Sequence, residues 1–308
     1  ELSNIMPSGS MLTSDRLAET LNRIDGKGYK AYKDIKGEYA FPDFDLAVDH
    51  VQGDPFAAPS RLRVRVPSGR ARFPGDTYGH PSRLVALADY LTRAFDSACR
   101  GVPRGRRGSG KSGLIEIAAP GQQILARSSV LVKPDCVEAR FAAGLPAFGR
   151  RVAGRQAAAM LCEELPRIVD RSLCFEALDR DALYAHVQCA EDADALRRQL
   201  DERGLFAFVA DGAILPRASG VDTRPLQGAR VVPFRSPASL RTTLDTPNTG
   251  PVAGMGVPRG VTLVVGGGYH GKSTLLNAIE LGVYNHIPGD GRERVVTNPN
   301  AVKIRAED

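Results

Sequence analysis

Tryptophan is absent from the sequence, and all aromatic residues together make up only 6% of it. No apolar run approaches the roughly 18 residues of a membrane-spanning helix, and no signal-peptide pattern opens the chain. The five cysteines have no C-x2-C spacing, and the five histidines follow no metal-ligand pattern. These absences argue against membrane, disulfide-scaffold and zinc-finger proteins. We expect reduced, buried thiols in a cytoplasmic protein.

Positive charge is concentrated in one part of the chain. The sequence has a formal net charge of +6, whereas the stretch from Arg61 to Ser112 contains twelve basic and three acidic residues. Such a local excess is typical of a face that binds polyanions. The residues predicted to contact nucleic acid are Arg61, Arg63, Arg65, Arg104, Arg106, Arg107 and Lys111. The residues predicted to extend that face are Lys27, Lys30, Lys33 and Lys36, interleaved with Tyr29 and Tyr32.

Hydrophobic periodicity predicts a mixture of helices and strands. Thr13 or Ser14 is the predicted N-cap of a helix in "LTSDRLAETLNRI". In "RLRVRV" every second residue is arginine, which predicts a strand with Leu62, Val64 and Val66 on the opposite face. "SRLVALADYLTRAFDSA" predicts an amphipathic helix that precedes the basic loop.

The second half of the chain has weaker local signals. Helices are predicted near 150–164 and 181–203, and Asp211-Gly212 is a hairpin-turn signal. "RERVVT" and "AVKIRA" predict strands, and residues 216–260 are rich in proline and glycine, which marks a boundary. The predicted divisions are a cloning remnant at 1–10, an N-terminal domain at 11–112, an α+β middle region at 113–230 and a phosphate-loop lobe at 231–308.

Residues 260–280, "GVTLVVGGGYHGKSTLLNAIE", match the phosphate-loop pattern G-x-x-x-x-G-K-[ST]. The run "VTLVV" predicts a buried central strand before the glycines, and "KSTLLNAIE" predicts a helix after them. That order directs the loop N–H groups and the positive end of the helix dipole at a bound phosphate. The predicted nucleotide-binding residues are Gly266, Gly267, Gly268, Tyr269, His270, Gly271, Lys272, Ser273 and Thr274.

A second formal match runs from Gly105 to Ser112, in "GRRGSGKS". A polar, arginine-rich stretch precedes it, and the extended-looking "LIEI" follows it, so neither flank supplies the strand and helix that a phosphate site needs. A second nucleotide site is therefore disfavoured. A contact to nucleic-acid phosphates and a solvated basic loop without a special role remain as alternatives.

The downstream segment "GMGVPRGVTLVVGGGYHGKSTLLNAIELGVYNHIPGDGRERVV" closely resembles the predicted ATPases of the ABC class, which carry no transporter membrane domain. The resemblance extends from Met11 to the C-terminus. Four other segments that resemble this family are "GKGYKAYKDIKG" (26–37), "DHVQGDPFAAPSR" (49–61), "GLPAFGRR" (144–151) and "FVADGAILPR" (208–217).

The resemblance implies an α/β fold, with an α+β N-terminal domain followed by a partial ABC-type phosphate-loop core and its antiparallel β layer. It also implies ATP and Mg²⁺ as cofactors. Lys272 would contact the β- and γ-phosphates, Ser273 would ligate Mg²⁺ and Thr274 would bind phosphate at the helix start. Phe234 is a candidate for stacking on adenine, and the Pro288–Gly291 turn resembles the one that follows the phosphate-loop helix in this class.

The chain departs from the family at its end. It stops at "KIRAED", without the Walker B acidic pair, the signature motif and the switch histidine of the family. We therefore expect a fragment that binds ATP weakly and hydrolyses it negligibly, taken from an ATPase that forms a homodimer through its ABC core.

The leading functional hypothesis is an ATP-binding switch of the ABC class whose basic N-terminal region binds nucleic acid, RNA rather than DNA. The alternative is an ATP-gated module that docks an acidic protein partner. A small-molecule kinase is disfavoured because no lid or substrate-base motif is visible. A polar cluster also resembles a metal or nuclease site, but alternation along strands and turns explains it; its members are Asp43, Asp45, Asp49, His50 and Asp54.

Overall fold

The computed structural model describes residues 11–103, 105, 107–229 and 231–304. These residues form two compact units. Unit 1 comprises the chain up to Phe73, Tyr90–Ala119 and Arg127–Arg180, and unit 2 comprises Pro74–Asp89, Pro120–Ala126 and the chain from Asp181 onward. The change from one unit to the other at Arg180 falls inside the predicted middle region.

Strands and helices are numbered along the chain. The strands are β1 (Leu12–Thr13), β2 (Gly37–Ala40), β3 (Asp45–His50), β4 (Ser60–Pro67), β5 (Ile115–Glu116), β6 (Gln123–Ile124), β7 (Val130–Val132), β8 (Cys136–Ala143), β9 (Ala147–Phe148), β10 (Arg151–Val152), β11 (Leu205–Ala210), β12 (Arg241–Thr246), β13 (Gly250–Pro258), β14 (Asn285–His286) and β15 (Val295–Thr297). The α-helices are α1 (Ser14–Arg23), α2 (Ser68–Ala71), α3 (Pro81–Gly101), α4 (Gly154–Ala158), α5 (Leu165–Leu173), α6 (Arg180–Glu202) and α7 (Lys272–Leu281). A π-helical stretch, Ala159–Glu164, joins α4 to α5, and 3₁₀ helices cover Tyr29–Ile35, Gly75–Thr77, Phe175–Ala177 and Ala238–Leu240.

The main sheet of unit 1 has the strand order β1-β2-β3-β4-β8-β5, and β7 also pairs with β8. Only the β1–β2 pair is parallel; the other pairs are antiparallel. The predicted alternation in β4 is confirmed, because Leu62, Val64 and Val66 are buried while the arginines between them lie on the other face. The second half of α3 belongs to this core, where Phe95 lies 5.4 Å from Phe141 between ring centroids.

Unit 2 is built on a four-stranded antiparallel sheet with the order β12-β13-β11-β15. One face carries a core cluster with α6, in which Leu196 and Leu200 meet Phe208 of β11. The opposite face carries a cluster with α7, in which Ala278 meets Val209 of β11. The sheet is therefore covered by a helix on each side.

Two local predictions for unit 2 are wrong. Asp211-Gly212 does form a turn, with Gly212 at φ +86°, but the chain does not fold back as a hairpin. Instead, the Ala213 carbonyl accepts from the Phe234 N–H, and the Ile214 N–H donates to the Gly291 carbonyl. A hairpin partner cannot pair with β11, because β13 and β15 already occupy both of its edges. The stretch 301–304 forms no strand in the described part of "AVKIRA".

The prediction of buried thiols is confirmed for Cys99, Cys136 and Cys174, whereas Cys162 and Cys189 are half-buried. All five cysteines are free thiols. Burial raises the pKa of Cys99 to about 12 and that of Cys162 to about 11, so both stay protonated at neutral pH.

Candidate nucleotide site

The downstream glycine loop leads directly into α7. The helix begins at Lys272, and its N-cap, Gly271, has φ +82°, a conformation that glycine adopts without strain. No side chain caps the helix, and its first backbone bond runs from the Leu275 N–H to the Gly271 carbonyl. The N–H groups of the first turn therefore have no acceptor within the helix and point outward, as an anion site requires.

Lys272 folds back over this loop. Its Nζ donates to the carbonyl oxygens of Gly266 at 2.5 Å and Gly267 at 2.6 Å. The Gly267 N–H donates in turn to His270 Nδ1 at 3.2 Å. Tyr269 has φ +62° and a fully exposed side chain, which marks the outer bend of the loop. The ammonium group thus lies beside the loop backbone and next to the uncapped helix.

These residues fit a nucleotide with its magnesium ion. Ser273 is exposed at the helix start and Thr274 is half-buried beside it, so their hydroxyls follow the lysine on the first turn. A lysine, a free helix N-terminus and a Ser/Thr hydroxyl are the three parts that phosphate loops use for phosphate and for Mg²⁺. The glycine loop and the first turn of α7 contain all three parts, and their binding of nucleotide and Mg²⁺ stays a prediction.

The predicted central strand before the loop is wrong. Residues 261–265 form no strand, and Val261, Leu263 and Val265 are exposed. A parallel strand becomes buried only where other strands cover its edges and helices cover its faces. The strands of unit 2 in the described ranges pair with one another, and none of them pairs with this segment. An apolar run therefore lies exposed directly before the phosphate loop.

The apolar face of α7 holds the loop in place. Ala278 is fully buried in the cluster with Val209 and Val295, and Leu275 and Ile279 pack against it. Phe234, the predicted adenine-stacking residue, is partly buried against the same cluster. Its role in adenine binding stays a prediction.

Sequence reasoning missed a buried polar network that follows α7. Asp290 Oδ1 accepts a hydrogen bond from Arg217 Nη1 at 2.7 Å, and Asp290 Oδ2 lies 2.8 Å from His286 Nδ1. The buried Arg292 guanidinium donates to the Leu215 carbonyl oxygen, 2.9 Å from Nε. Burial and the neighbouring Arg217 lower the pKa of Arg292 to about 10. The one sequence signal for this network was the Pro288–Gly291 turn, which contains Asp290. The turn gives no indication of which residues contact Asp290.

The upstream match has a different structure. Helix α3 precedes it and strand β5 follows it, as its flanks predicted, so the loop does not lead directly into a helix. Ser112 is buried, and its hydroxyl donates to the Ser109 carbonyl at 2.6 Å and accepts from the Ala147 N–H at 3.0 Å. The hydroxyl that would bind magnesium in a phosphate loop is used here to hold the loop to its neighbours.

Comparison with known families decides the identity of the chain. A profile for the N-terminal region of ATPases of the ABC class matches residues 14–176, slightly more than half of the chain. A profile for the P-loop domain of ABC ATPases matches residues 179–308. The chain belongs to the ABC-class ATPases. Its α/β fold and its nucleotide-binding P-loop domain agree with the sequence prediction.

This ABC-class ATPase also resembles one curated protein. The uncharacterized protein MJ1628 of Methanocaldococcus jannaschii is 28% identical over 150 residues, which cover 46% of this chain and 32% of that protein. The chain thus spans about a third of the length of the relative it matches. In the described ranges, no helix combines the length and the apolar character that crossing a lipid bilayer requires.

The predicted basic face of the ABC-class ATPase is largely neutralised on β4. Arg63 pairs with Asp49 at 2.9 Å and with Glu38 at 3.3 Å, and Arg65 pairs with Glu138 at 3.2 Å. Asp49 and Glu138 come from β3 and β8, the two neighbours of β4 in the sheet, and Glu38 comes from β2, on the far side of β3. The alternation of arginines along β4 was predicted correctly. The sequence of β4 alone does not show which acidic residues of other strands pair with these arginines.

The other residues predicted to contact nucleic acid fall into three groups: exposed, buried and outside the described residues. Arg61 and Lys111 are exposed and form no ion pair with a described residue. Arg107 is buried and forms an ion pair with Glu164, so the prediction that it contacts nucleic acid is wrong. Arg104 and Arg106 lie outside the described residues.

Two further sequence hypotheses are corrected or not supported. Tyr29 and Tyr32 are core residues rather than members of a surface, because both rings are buried. Among the described residues, the acidic cluster around Asp49 forms no group of three or more side chains that could hold a metal ion. Asp49 is instead the partner of Arg63.

Glu138 is the centre of the charged sheet face of unit 1. Its buried carboxylate accepts hydrogen bonds from Lys133 and Arg140, each at 2.8 Å, and from Arg65 at 3.2 Å. Burial alone would raise the pKa of Glu138, but these three cations outweigh it and lower the pKa to about 2. The folded state therefore holds Glu138 ionised well below the ordinary glutamate pKa.

We expect Glu138→Gln to lower the free energy of unfolding by about 2 kcal/mol at neutral pH, because hydrogen bonds to a charged acceptor are lost. A depressed folded-state pKa contributes stability above the ordinary pKa of about 4.3, and that contribution is lost as the pH falls toward 2. The difference between wild type and variant should therefore shrink below about pH 4. Urea unfolding followed by circular dichroism measures it, and an unchanged difference at low pH would contradict the assignment.

Proposed function

We propose that this ABC-class ATPase binds ATP together with Mg²⁺ at residues 266–274. The observation that carries the proposal is the Lys272 ammonium, which lies on the glycine-loop carbonyls at the uncapped start of α7. Bound phosphate oxygens would replace those carbonyls as partners of the ammonium, which would then contact the β- and γ-phosphates. Loop N–H groups from Gly266 to Gly271 would surround the same phosphates.

The first turn of α7 completes the proposed site. The Ser273 hydroxyl would ligate the magnesium ion, and Thr274 would bind a phosphate at the helix start. When bound, Mg²⁺ neutralises phosphate charge that the single lysine leaves uncompensated. In the proposed site, Lys272 thus supplies a positively charged side chain, and the N-terminus of α7 supplies N–H donors directed at the phosphates.

Lys272→Ala tests this site, and Lys111→Ala is its matched control, because both lysines stand in a G-x-x-x-x-G-K-S pattern. We expect Lys272→Ala to weaken ATP binding about 10- to 100-fold, since a hydrogen-bonded charge on phosphate contributes about 1.5–3 kcal/mol. Lys111→Ala should change the dissociation constant for ATP less than about twofold. Titration calorimetry with Mg–ATP measures both dissociation constants. Equal losses in the two variants would reject the site.

Within the same proposal, unit 1 binds nucleic acid, RNA rather than DNA, and the state of the nucleotide site changes that binding. The support is compositional: basic residues are concentrated in the N-terminal region, and Arg61 and Lys111 are exposed there. The whole protein would form a homodimer through its ABC core. The absorbance ratio of the purified protein at 260 and 280 nm gives a first measurement, because co-purified RNA raises it whereas an acidic protein partner does not.

A further inference from the structure

The segment from Lys27 to Lys36 is wound around a 3₁₀ helix, Tyr29–Ile35. A 3₁₀ helix has three residues per turn, so side chains three residues apart lie directly above one another. Tyr29, Tyr32 and Ile35 form the row that faces the core, and all three are buried. Tyr32 Oη donates to the Pro146 carbonyl at 2.6 Å, and Tyr29 Oη donates to the Leu145 carbonyl at 3.2 Å.

The same winding aligns the lysines on another side of this helix. Lys30 and Lys33 are one turn apart within it, and Lys27 and Lys36 continue the three-residue spacing at its two ends. At a rise of about 2 Å per residue, Lys30 and Lys33 are about 6 Å apart along the helix axis, whereas Lys36 is the extended C-cap and Lys27 precedes the extended N-cap. All four are exposed, and none forms an ion pair with a residue that the structure describes. We call these four residues the lysine row.

The chain next to the lysine row adds more positive charge. Gly28 forms a β-bridge with Arg151, and the Tyr29 N–H donates to the Arg150 carbonyl at 2.9 Å. Arg150 and Arg151 are both exposed. The two stretches 23–38 and 149–155 together contain eight basic and three acidic residues. Arg23 pairs with Asp34 and Arg155 pairs with Asp25, but the lysine row, Arg150 and Arg151 form no ion pair with a described residue.

We propose that the lysine row is the surface on which unit 1 binds the phosphate backbone of a single RNA strand; this inference rests on the nucleic-acid part of the proposed function. A phosphodiester strand carries a charge at every nucleotide, which suits a run of exposed cations spaced three residues apart in the sequence. Both tyrosines of the segment are buried, so neither ring is available for stacking on bases. Binding is therefore independent of base sequence and strongly dependent on salt.

The test is fluorescence anisotropy with a short single-stranded oligouridylate, carried out on the whole chain over a range of salt concentrations. Lys30→Glu combined with Lys33→Glu should weaken binding at low salt at least about tenfold and reduce the salt slope by about 1.4, since each single-strand phosphate contact contributes about 0.7. Arg198→Glu combined with Arg203→Glu is the matched control. Both arginines are exposed in unit 2, and the change in net charge is the same.

The outcomes separate this inference from the proposed function. If wild type binds and the lysine variant binds equally well, or the control loses as much affinity, the lysine row is overturned. Loss of binding in Arg61→Glu combined with Lys111→Glu alone would keep RNA binding but move it to the other surface. If wild type fails to bind oligouridylate while Mg–ATP binding is intact, both this inference and the nucleic-acid part of the proposed function fail. Competition by polyglutamate as strong as by oligouridylate would assign the row to an acidic protein partner instead.

Discussion

Replacement of Asp290 by alanine is expected to destabilise unit 2 by about 3–5 kcal/mol. Asp290 is 1% exposed, and its carboxylate is the acceptor for Arg217 and the neighbour of His286. Its removal would leave two largely buried guanidinium groups, those of Arg217 and Arg292, close together without a carboxylate. The pKa of Arg292 is already lowered by burial and by Arg217, whereas Asp290 raises it.

A comparison of three variants isolates that effect. Asp290→Asn preserves the shape of the side chain but loses its charge, so its loss of stability should lie below that of Asp290→Ala. Asp201→Ala removes the partner of Arg259 in an exposed ion pair of the same unit and should cost at most about 1 kcal/mol. Denaturant unfolding followed by far-ultraviolet circular dichroism measures all three. A loss in Asp290→Ala no larger than in Asp201→Ala would show that the network contributes little.

The second large effect is expected in unit 1, for Arg107→Met. Arg107 forms a buried ion pair with Glu164, and its Nη1 donates to the Gln156 carbonyl at 3.1 Å. Removing the guanidinium leaves the Glu164 carboxylate buried at the end of the π-helical stretch. Loss of one member of a buried ion pair costs about 3–5 kcal/mol, because the guanidinium that compensates the desolvated carboxylate is removed.

The double variant Arg107→Met with Glu164→Met should recover most of that loss, since two apolar side chains of similar length replace the pair. Lys111→Met is the control from the same loop; its side chain is exposed, and we expect a change within about 0.5 kcal/mol. Urea unfolding of the three variants gives the comparison. Full loss of stability in the double variant would show that the site needs polar groups for another reason.

Local patterns predicted the elements that depend on neighbouring residues in the chain. Thr13 caps α1 by accepting the Arg16 N–H at 3.3 Å, α3 covers its predicted stretch, and α7 begins at Lys272 as the phosphate-loop motif indicates. Each of these signals lies within about two helical turns of the feature it predicts. A single sequence contains that information directly.

Predictions failed where a distant partner decides the outcome. Arg107 and Arg65 were assigned to a basic surface, but each pairs with an acidic residue. These partners are 57 and 73 residues away in the sequence. The pattern of residues 261–265 is that of a buried strand, yet such a strand forms only where other strands pair with it, and composition does not reveal whether they do. The lysines were correctly grouped, whereas their separation from the tyrosines between them depends on a 3₁₀ winding that periodicity did not reveal.

Strand β11 has a consequence for how nucleotide affinity can change. It lies between β13 and β15, and alternate side chains serve opposite faces: Phe208 packs toward the α6 cluster and Val209 toward the α7 cluster. One strand thus links the support of the phosphate-loop helix to the packing on the other face of the sheet. Substitutions in α6 that displace β11 are therefore expected to change how firmly the phosphate-loop helix is held, although no residue of α6 belongs to the proposed nucleotide site.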